Sequence, residues 1–161
     1  MQPILKILAY KKSGKFMITI IQRVTEANVM VNDKVIGEIE QGILALIAVE
    51  KHDTSAVADR LLERILNYRI FADADDKMNL SLRDIQGGLL LVPQFTLAAN
   101  TNKGNRPSFA SAAPPEFGRE MFEYVQKNAD QIFNHVQFGE FGADMKVKLV
   151  NDGPVTFTLK V

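Results

Sequence analysis

A mixed α/β domain, a sheet with two main helices, is what this sequence predicts, and three observations carry it. The continuous apolar run from Gly42 to Val49 reads as a strand covered on both faces. Two later segments, 57–66 and 117–132, repeat apolar residues at helical spacing. The chain closes on two strand-like runs, 145–150 and 155–161, separated by Asn151-Asp152-Gly153-Pro154-Val155-Thr156.

Taken in order, residues 1–16 carry Lys6, Lys11, Lys12 and Lys15 with no acidic residue. Lys6 breaks the short apolar part, which makes a poor signal peptide. A loosely ordered extension is expected there, with a membrane-surface helix as the alternative, and a single domain over 17–161. Ile18 to Val31 reads as strand, with a weak spot near Glu26-Ala27-Asn28. Asn32-Asp33 suits a tight turn into a second strand, 35–39. Asp53, Thr54 and Ser55 offer helix N-caps, and Val57, Leu61, Leu62, Ile65 and Leu66 then form one apolar stripe. Ile70-Phe71 is a short strand or connector, Asp73-Ala74-Asp75-Asp76 a polar turn without the glycine and glutamate of a calcium loop, and 78–84 irregular. Leu89 to Val92 is another buried strand. Pro114-Pro115 opens the second helix, since proline suits the first helical turn, and Phe117, Met121, Val125, Ala129 and Ile132 face inward.

Composition narrows the function classes. At 161 residues and 18.0 kDa the chain suits one domain with a sizeable core. Lys+Arg and Asp+Glu are 19 each, which argues against strong, sequence-blind binding of nucleic acid. Without cysteine there is no disulfide, thiolate zinc site or Cys nucleophile. No apolar run approaches the ~20 residues of a transmembrane helix, so a cytoplasmic protein is expected. His52 and His135, the two histidines, show neither metal-ligand spacing nor a neighbouring serine motif. Gly87-Gly88 lacks the further glycines and the lysine of a phosphate loop.

What remains for chemistry is two short segments at expected strand ends, 92–97 and 151–156. Backbone N–H groups after Gln94 can point at a carbonyl oxygen and stabilise the oxyanion of an acyl transfer. Gly153 can take backbone angles closed to other residues, and Pro154 makes a cis peptide bond far less costly. A cis bond there would let two successive carbonyls face a ligand. Taken singly, Thr96 also reads as an ordinary strand residue, Phe95 as a core aromatic, and 151–156 as a turn between strands.

Many blocks in order then resemble one family, the D-aminoacyl-tRNA deacylases, first described as D-tyrosyl-tRNA deacylases. They are IQRVTEA at 21–27, AVEKHDT at 48–54, ILNYRIF at 65–71, KMNLS at 77–81, QFTL at 94–97, RPSF at 106–109, AAPP at 112–115, FGADM at 141–145 and NDGPVT at 151–156. The resemblance implies a largely antiparallel, barrel-like sheet and a homodimer with two active sites at the subunit interface. It implies hydrolysis of the ester joining a D-amino acid to the terminal ribose of tRNA, with glycyl-tRNA also accepted and with neither cofactor nor metal. One subunit would supply Gln94, Phe95 and Thr96 as the catalytic segment. The other would insert Gly153 and Pro154, in the cis form, to reject L side chains, and Arg23 matches the family arginine that braces this step. The family has serine where this chain has Pro93, which removes a hydroxyl and an amide from the pocket wall. Lys103 and Arg106, in the loop after QFTL, are candidates for tRNA phosphates, or belong to a solvated loop. Zero net charge implies modest tRNA affinity, with a salt-dependent rate. The alternative is a non-catalytic tRNA-binding dimer on the same fold, suggested by the missing side-chain base and by Pro93. A small-ester hydrolase that ignores RNA is the weaker third reading.

Overall fold

β1 (Ile18–Val31) is the strand on which the others assemble in the computed structural model, which describes residues 17–161. The extension expected at 1–16 lies outside the described residues. One edge of β1 pairs antiparallel with β8 (Lys146–Lys160) along almost its whole length. The other edge is shared end to end by β2 (Lys34–Ile39), opposite residues 27–31, and β3 (Gly42–Ala48), opposite residues 18–24. Beyond β3 the sheet continues with β6 (Gly88–Pro93) and β7 (Val136–Phe138), both in parallel pairing. Strand order is therefore β2-β1-β3-β6-β7 with β8 on β1, antiparallel around β1 and parallel from β3 outward. β2 curls back toward β6 and β7, giving the nearly closed, barrel-like sheet.

The reasons lie in the residues. Asn32 and Asp33 both take left-handed backbone angles, φ 50° and 63°, the two-residue turn that matches strand twist. β3 alternates between two cores: Ile43, Ala45 and Ile47 face one, and Leu44 faces the other with Val24, Leu90 and Val92. α1 (Ser55–Asn67) and α3 (Pro115–Ile132) cover the first face with Leu61, Leu62, Ile65, Met121, Val125 and Ala129. Each fully buried Leu or Ile contributes about 1.5–3 kcal/mol relative to exposure. The expected apolar stripes thus point inward, with Phe122 as a further, almost fully buried member of the α3 face.

Three expectations are corrected. The weak spot near Glu26-Ala27-Asn28 does not interrupt β1, because pairing on both edges keeps it extended. The irregularity lies just before it, as register shifts against β8 between Gln22 and Val24 and between Val24 and Glu26. Residues 78–84 are not irregular. β5 (Met78–Leu80) pairs with β4 (Phe71–Ala72), and a one-turn helix, α2 (Leu82–Ile85), follows. Its signal was present as a capping box: the Ser81 hydroxyl accepts from the Asp84 amide at 3.2 Å, and Asp84 Oδ2 accepts from the Ser81 amide at 2.8 Å. Finally, 145–150 and 155–161 are one strand, not two, and the Gly-Pro step interrupts its pairing from within. The polar turn at Asp73 is as expected, with Oδ1 accepting from the amides of Asp75 and Lys77.

Thr54 caps α1: its backbone is extended, and its hydroxyl accepts from the Val57 amide at 3.3 Å. Thr54→Ala is expected to destabilise the fold by about 0.5–1 kcal/mol, the low end for caps because this bond is long. Urea denaturation checks this, and Thr54→Asn is expected to stay near the parent value.

Candidate active site

β6 ends at Pro93, which has no amide to continue the ladder; the Gln94 amide instead donates to the Ile47 carbonyl at 2.7 Å. The chain then leaves the sheet. Residues Phe95–Ala98 form a 3-10 turn, closed by Leu97 N–H to Gln94 O at 3.2 Å and Ala99 N–H to Thr96 O at 3.1 Å. Phe95, Thr96 and Leu97 are therefore turn residues and not a strand end. The first amides of a helical turn have no partner within it. Those of Phe95 and Thr96 donate to no acceptor among the described residues. The Thr96 hydroxyl accepts from the Gln94 side-chain amide at 2.5 Å, so these two side chains fix each other. Phe95 is not a core aromatic: it is 58% exposed and packs on Phe109, with ring centroids 5.2 Å apart.

Beside this turn lies a largely apolar cavity of about 450 Å3. Pro93, Gln94 and Phe95 form one wall, and residues 141–145 the opposite one. Asp144 is the one ionisable side chain lining it among the described residues, and the Lys146 ammonium holds that carboxylate at 3.0 Å. His135 adjoins the opposite end of β6, its carbonyl accepting the Leu89 amide. At roughly 3.3 Å per residue that is some 16 Å from Gln94. His52 lies in the β3–α1 turn. The cavity therefore offers main-chain donors and the Gln94–Thr96 pair, with no free side-chain base among its lining.

The Gly-Pro step is built as a rigid protrusion. Pairing of β8 with β1 runs up to Asn151 opposite Val24 and resumes at Thr156 opposite Gln22, so 152–155 stands off opposite Arg23. The Gly153-Pro154 bond is cis, and Gly153 has φ 140°, where a side chain would place its Cβ 2.6 Å from Val155 Cγ2. Asn151 closes the loop internally: Oδ1 accepts from the Val155 amide at 2.7 Å, and Nδ2 donates to the Thr156 hydroxyl at 3.0 Å. Arg23 closes it from outside. Its Nε donates to the Asp152 carbonyl at 2.9 Å, its Nη1 to the Ile70 carbonyl at 2.7 Å, and the Asp152 carboxylate lies 3.5 Å away. Gly153 and Pro154 at the tip are exposed.

Within one chain the expected site residues fall into separate places. Pro93, Gln94 and Phe95 line the cavity with Thr96 next to them, while Arg23, Gly153 and Pro154 form the protrusion, none of whose residues lines that cavity. Lys103 and Arg106 sit on an exposed loop closed by the Asn100–Ser108 bridge and line no part of it. Reading by sequence missed the Asn151 side chain, the Ile70 carbonyl and the 141–145 wall. All three fell inside blocks shared with the family, which was the available signal.

A family model described as D-Tyr-tRNA(Tyr) deacylase matches residues 20–160. A D-aminoacyl-tRNA deacylase of Pseudomonas fluorescens Pf-5 is 58% identical over 141 residues, covering 88% of this chain and 97% of the relative. One of Pseudoalteromonas translucida TAC 125 is 60% identical over 142 residues, covering 88% and 98%. Fold and relatives thus define a hydrolase of aminoacyl esters. Among solved structures, a c-Myc DNA unwinding element binding protein matches with TM-score 0.84 and 35% identity, covering 88% of this chain and 97% of that one. A probable eukaryotic D-amino acid tRNA deacylase shares the fold at TM-score 0.77 and 18% identity, over 91% and 100%. The chain belongs to the D-aminoacyl-tRNA deacylase family.

Proposed function

We propose that the protein acts as a cytoplasmic homodimer that proofreads charged tRNA, hydrolysing D-aminoacyl-tRNA and glycyl-tRNA, with each active site shared between subunits. One observation carries this reading. Among the described residues, the braced, solvent-exposed Gly153-Pro154 tip does not line the cavity that Gln94 and Phe95 edge, and that cavity, edged by unengaged amides, has no such tip against it. A second copy of the chain matches each to the other.

The terminal ribose and base enter the apolar cavity, with the ester carbonyl at the amides of Phe95 and Thr96. Water attacks the ester carbon, and the resulting oxyanion accepts hydrogen bonds from those amides. Collapse expels the ribose oxygen, which takes up a proton, leaving free amino acid and tRNA. With no side-chain base lining the cavity, the neighbouring 2′-hydroxyl of the tRNA activates the water. The carbonyls of Gly153 and Pro154 from the second subunit accept from the substrate α-amino group. They occupy the space an L side chain needs, so selection works by exclusion, and glycine, having no side chain, passes. Pro93 serves the shape of the cavity wall.

The test is release of amino acid from D-Tyr-tRNA compared with L-Tyr-tRNA. Cleavage of the D form alone is expected; equal cleavage of both, or of neither, refutes the reading. If the amides dominate, Thr96→Ser keeps kcat within about threefold. Thr96→Ala, which frees the Gln94 side chain, loses about two- to tenfold, the range of one neutral hydrogen bond. A loss of several orders of magnitude in Thr96→Ala, with Thr96→Ser near the parent, would instead make the hydroxyl part of the chemistry.

A further inference from the structure

We propose that Arg119 is a phosphate-binding residue at the mouth of the active-site cavity, gripping the phosphodiester nearest the acylated ribose; this rests on the deacylase reading of that cavity. Arg119 lies in the second turn of α3, next to Gly118. A Cβ on Gly118 would stand 3.0 Å from Phe141 Cζ, so the bare glycine is what lets the ring seat against the helix. The Arg119 guanidinium then lies over that ring, 5.2 Å from its centroid, within the range of a cation–π contact. Its Nη2 reaches to 3.3 Å from where Gly142 would carry a Cβ. Phe141 and Gly142 both line the cavity that Gln94 and Phe95 edge on the other side.

The charge at this position is not spent inside the protein. No carboxylate lies within 4 Å of Arg119 among the described residues, where the ion pairs are Arg23–Asp152, Arg83–Glu63 and Lys146–Asp144. Asp144, the acid on the same wall, is taken by Lys146. The ring contact holds the guanidinium in place, and its N–H groups meet no acceptor among the described residues, which leaves them for bidentate recognition of phosphate. Lys103 and Arg106 are exposed on a loop that lines no part of this cavity. A single-stranded 3′ end whose terminal nucleoside enters the cavity must carry its next phosphodiester out through the mouth, past residue 142. The ligand class is thus a nucleic-acid phosphodiester joined to an acylated ribose.

The test uses the intact protein and a 5′-labelled, uncharged RNA minihelix ending in single-stranded CCA, with anisotropy titrations over a range of salt. Arg119→Ala is expected to weaken binding about five- to tenfold at low salt. It should also flatten the plot of log K against log salt by about 0.7, one single-strand contact. Arg119→Lys is expected to restore most of the slope. For a phosphate-free ligand, adenosine carrying D-tyrosine through a 3′-amide, the loss in Arg119→Ala is expected to stay under twofold. An unchanged slope, an equal loss on the nucleoside ligand, or no minihelix binding by the parent protein overturns the proposal. Hydrolysis of D-Tyr-minihelix by the parent is scored separately: its failure sinks the deacylase reading, while the binding titrations still decide on Arg119.

Discussion

Arg23→Ala is expected to lower stability by about 2–4 kcal/mol and to erode discrimination between D- and L-aminoacyl-tRNA by tenfold or more. The guanidinium is only 15% exposed and gives two short hydrogen bonds to main-chain carbonyls, at 2.9 Å to Asp152 and 2.7 Å to Ile70. Hydrogen bonds from a charged donor contribute about 1.5–3 kcal/mol each, and here one side chain supplies both. The Asp152 carboxylate contributes less, being 3.5 Å away and about half exposed. For a domain of this size the stability loss corresponds to a fall in Tm of roughly 5–15 °C. Without the brace, the tip at residues 153 and 154 is tied down by Asn151 alone, and under the shared-site reading a loosened tip excludes an L side chain less strictly. Thermal melts and hydrolysis of L-Tyr-tRNA read the two effects separately. Arg23→Lys is expected to recover part of each, since one ammonium cannot match the fork that spans both carbonyls. A variant with the parent melt and the parent chiral ratio would remove Arg23 from the account.

Gly153→Ala is expected to cost more in catalysis than in folding. At φ 140° a non-glycine residue is strained, by about 1–3 kcal/mol. Its Cβ would also meet the Val155 amide nitrogen at 3.0 Å and Val155 Cγ2 at 2.6 Å. The protrusion relieves this by shifting, because it is the exposed part, whereas Val155 is buried in the core. Under the shared-site reading, a shift of the tip misplaces the acceptors for the substrate amine. kcat/KM for D-Tyr-tRNA should then fall about 100-fold, some 2.7 kcal/mol of transition-state stabilisation. Circular dichroism is expected to remain that of a folded protein. Parent kinetics in a folded variant would show that the tip does not reach substrate.

The protrusion and the cavity explain each other's construction. β8 could pair with β1 without interruption, yet four of its residues stand off opposite a single residue of β1. Asn151, Arg23 and the Ile70 carbonyl all serve to hold that departure in one shape. At the far end of the strand ladder, Pro93 ends the β3–β6 pairing and sends the chain into the turn that frees two amides. Both are places where regular hydrogen bonding is given up; the protrusion lies in a block shared with the family, and the turn after Pro93 in another.

Local chemistry was enough to write much of this fold. The apolar run of β3, the stripes of α1 and α3, the Asn32-Asp33 turn and the Thr54 cap are each fixed by neighbours within a few residues. Sequence therefore determined them, and the shared blocks supplied the family and the candidate site residues. Only the tertiary structure decided what depends on distant partners. β8 is one strand because β1 pairs with it on both sides of the interruption, and Arg23 becomes a brace only through the Ile70 carbonyl, 47 residues away in the chain. Arg119 meets the cavity wall only because Phe141, in the loop after β7, gives its guanidinium a surface to lie on. Periodicity reports which face of an element is buried; it carries no record of which remote carbonyl or ring will meet a side chain, because that is set when the sheet curls and the helices dock.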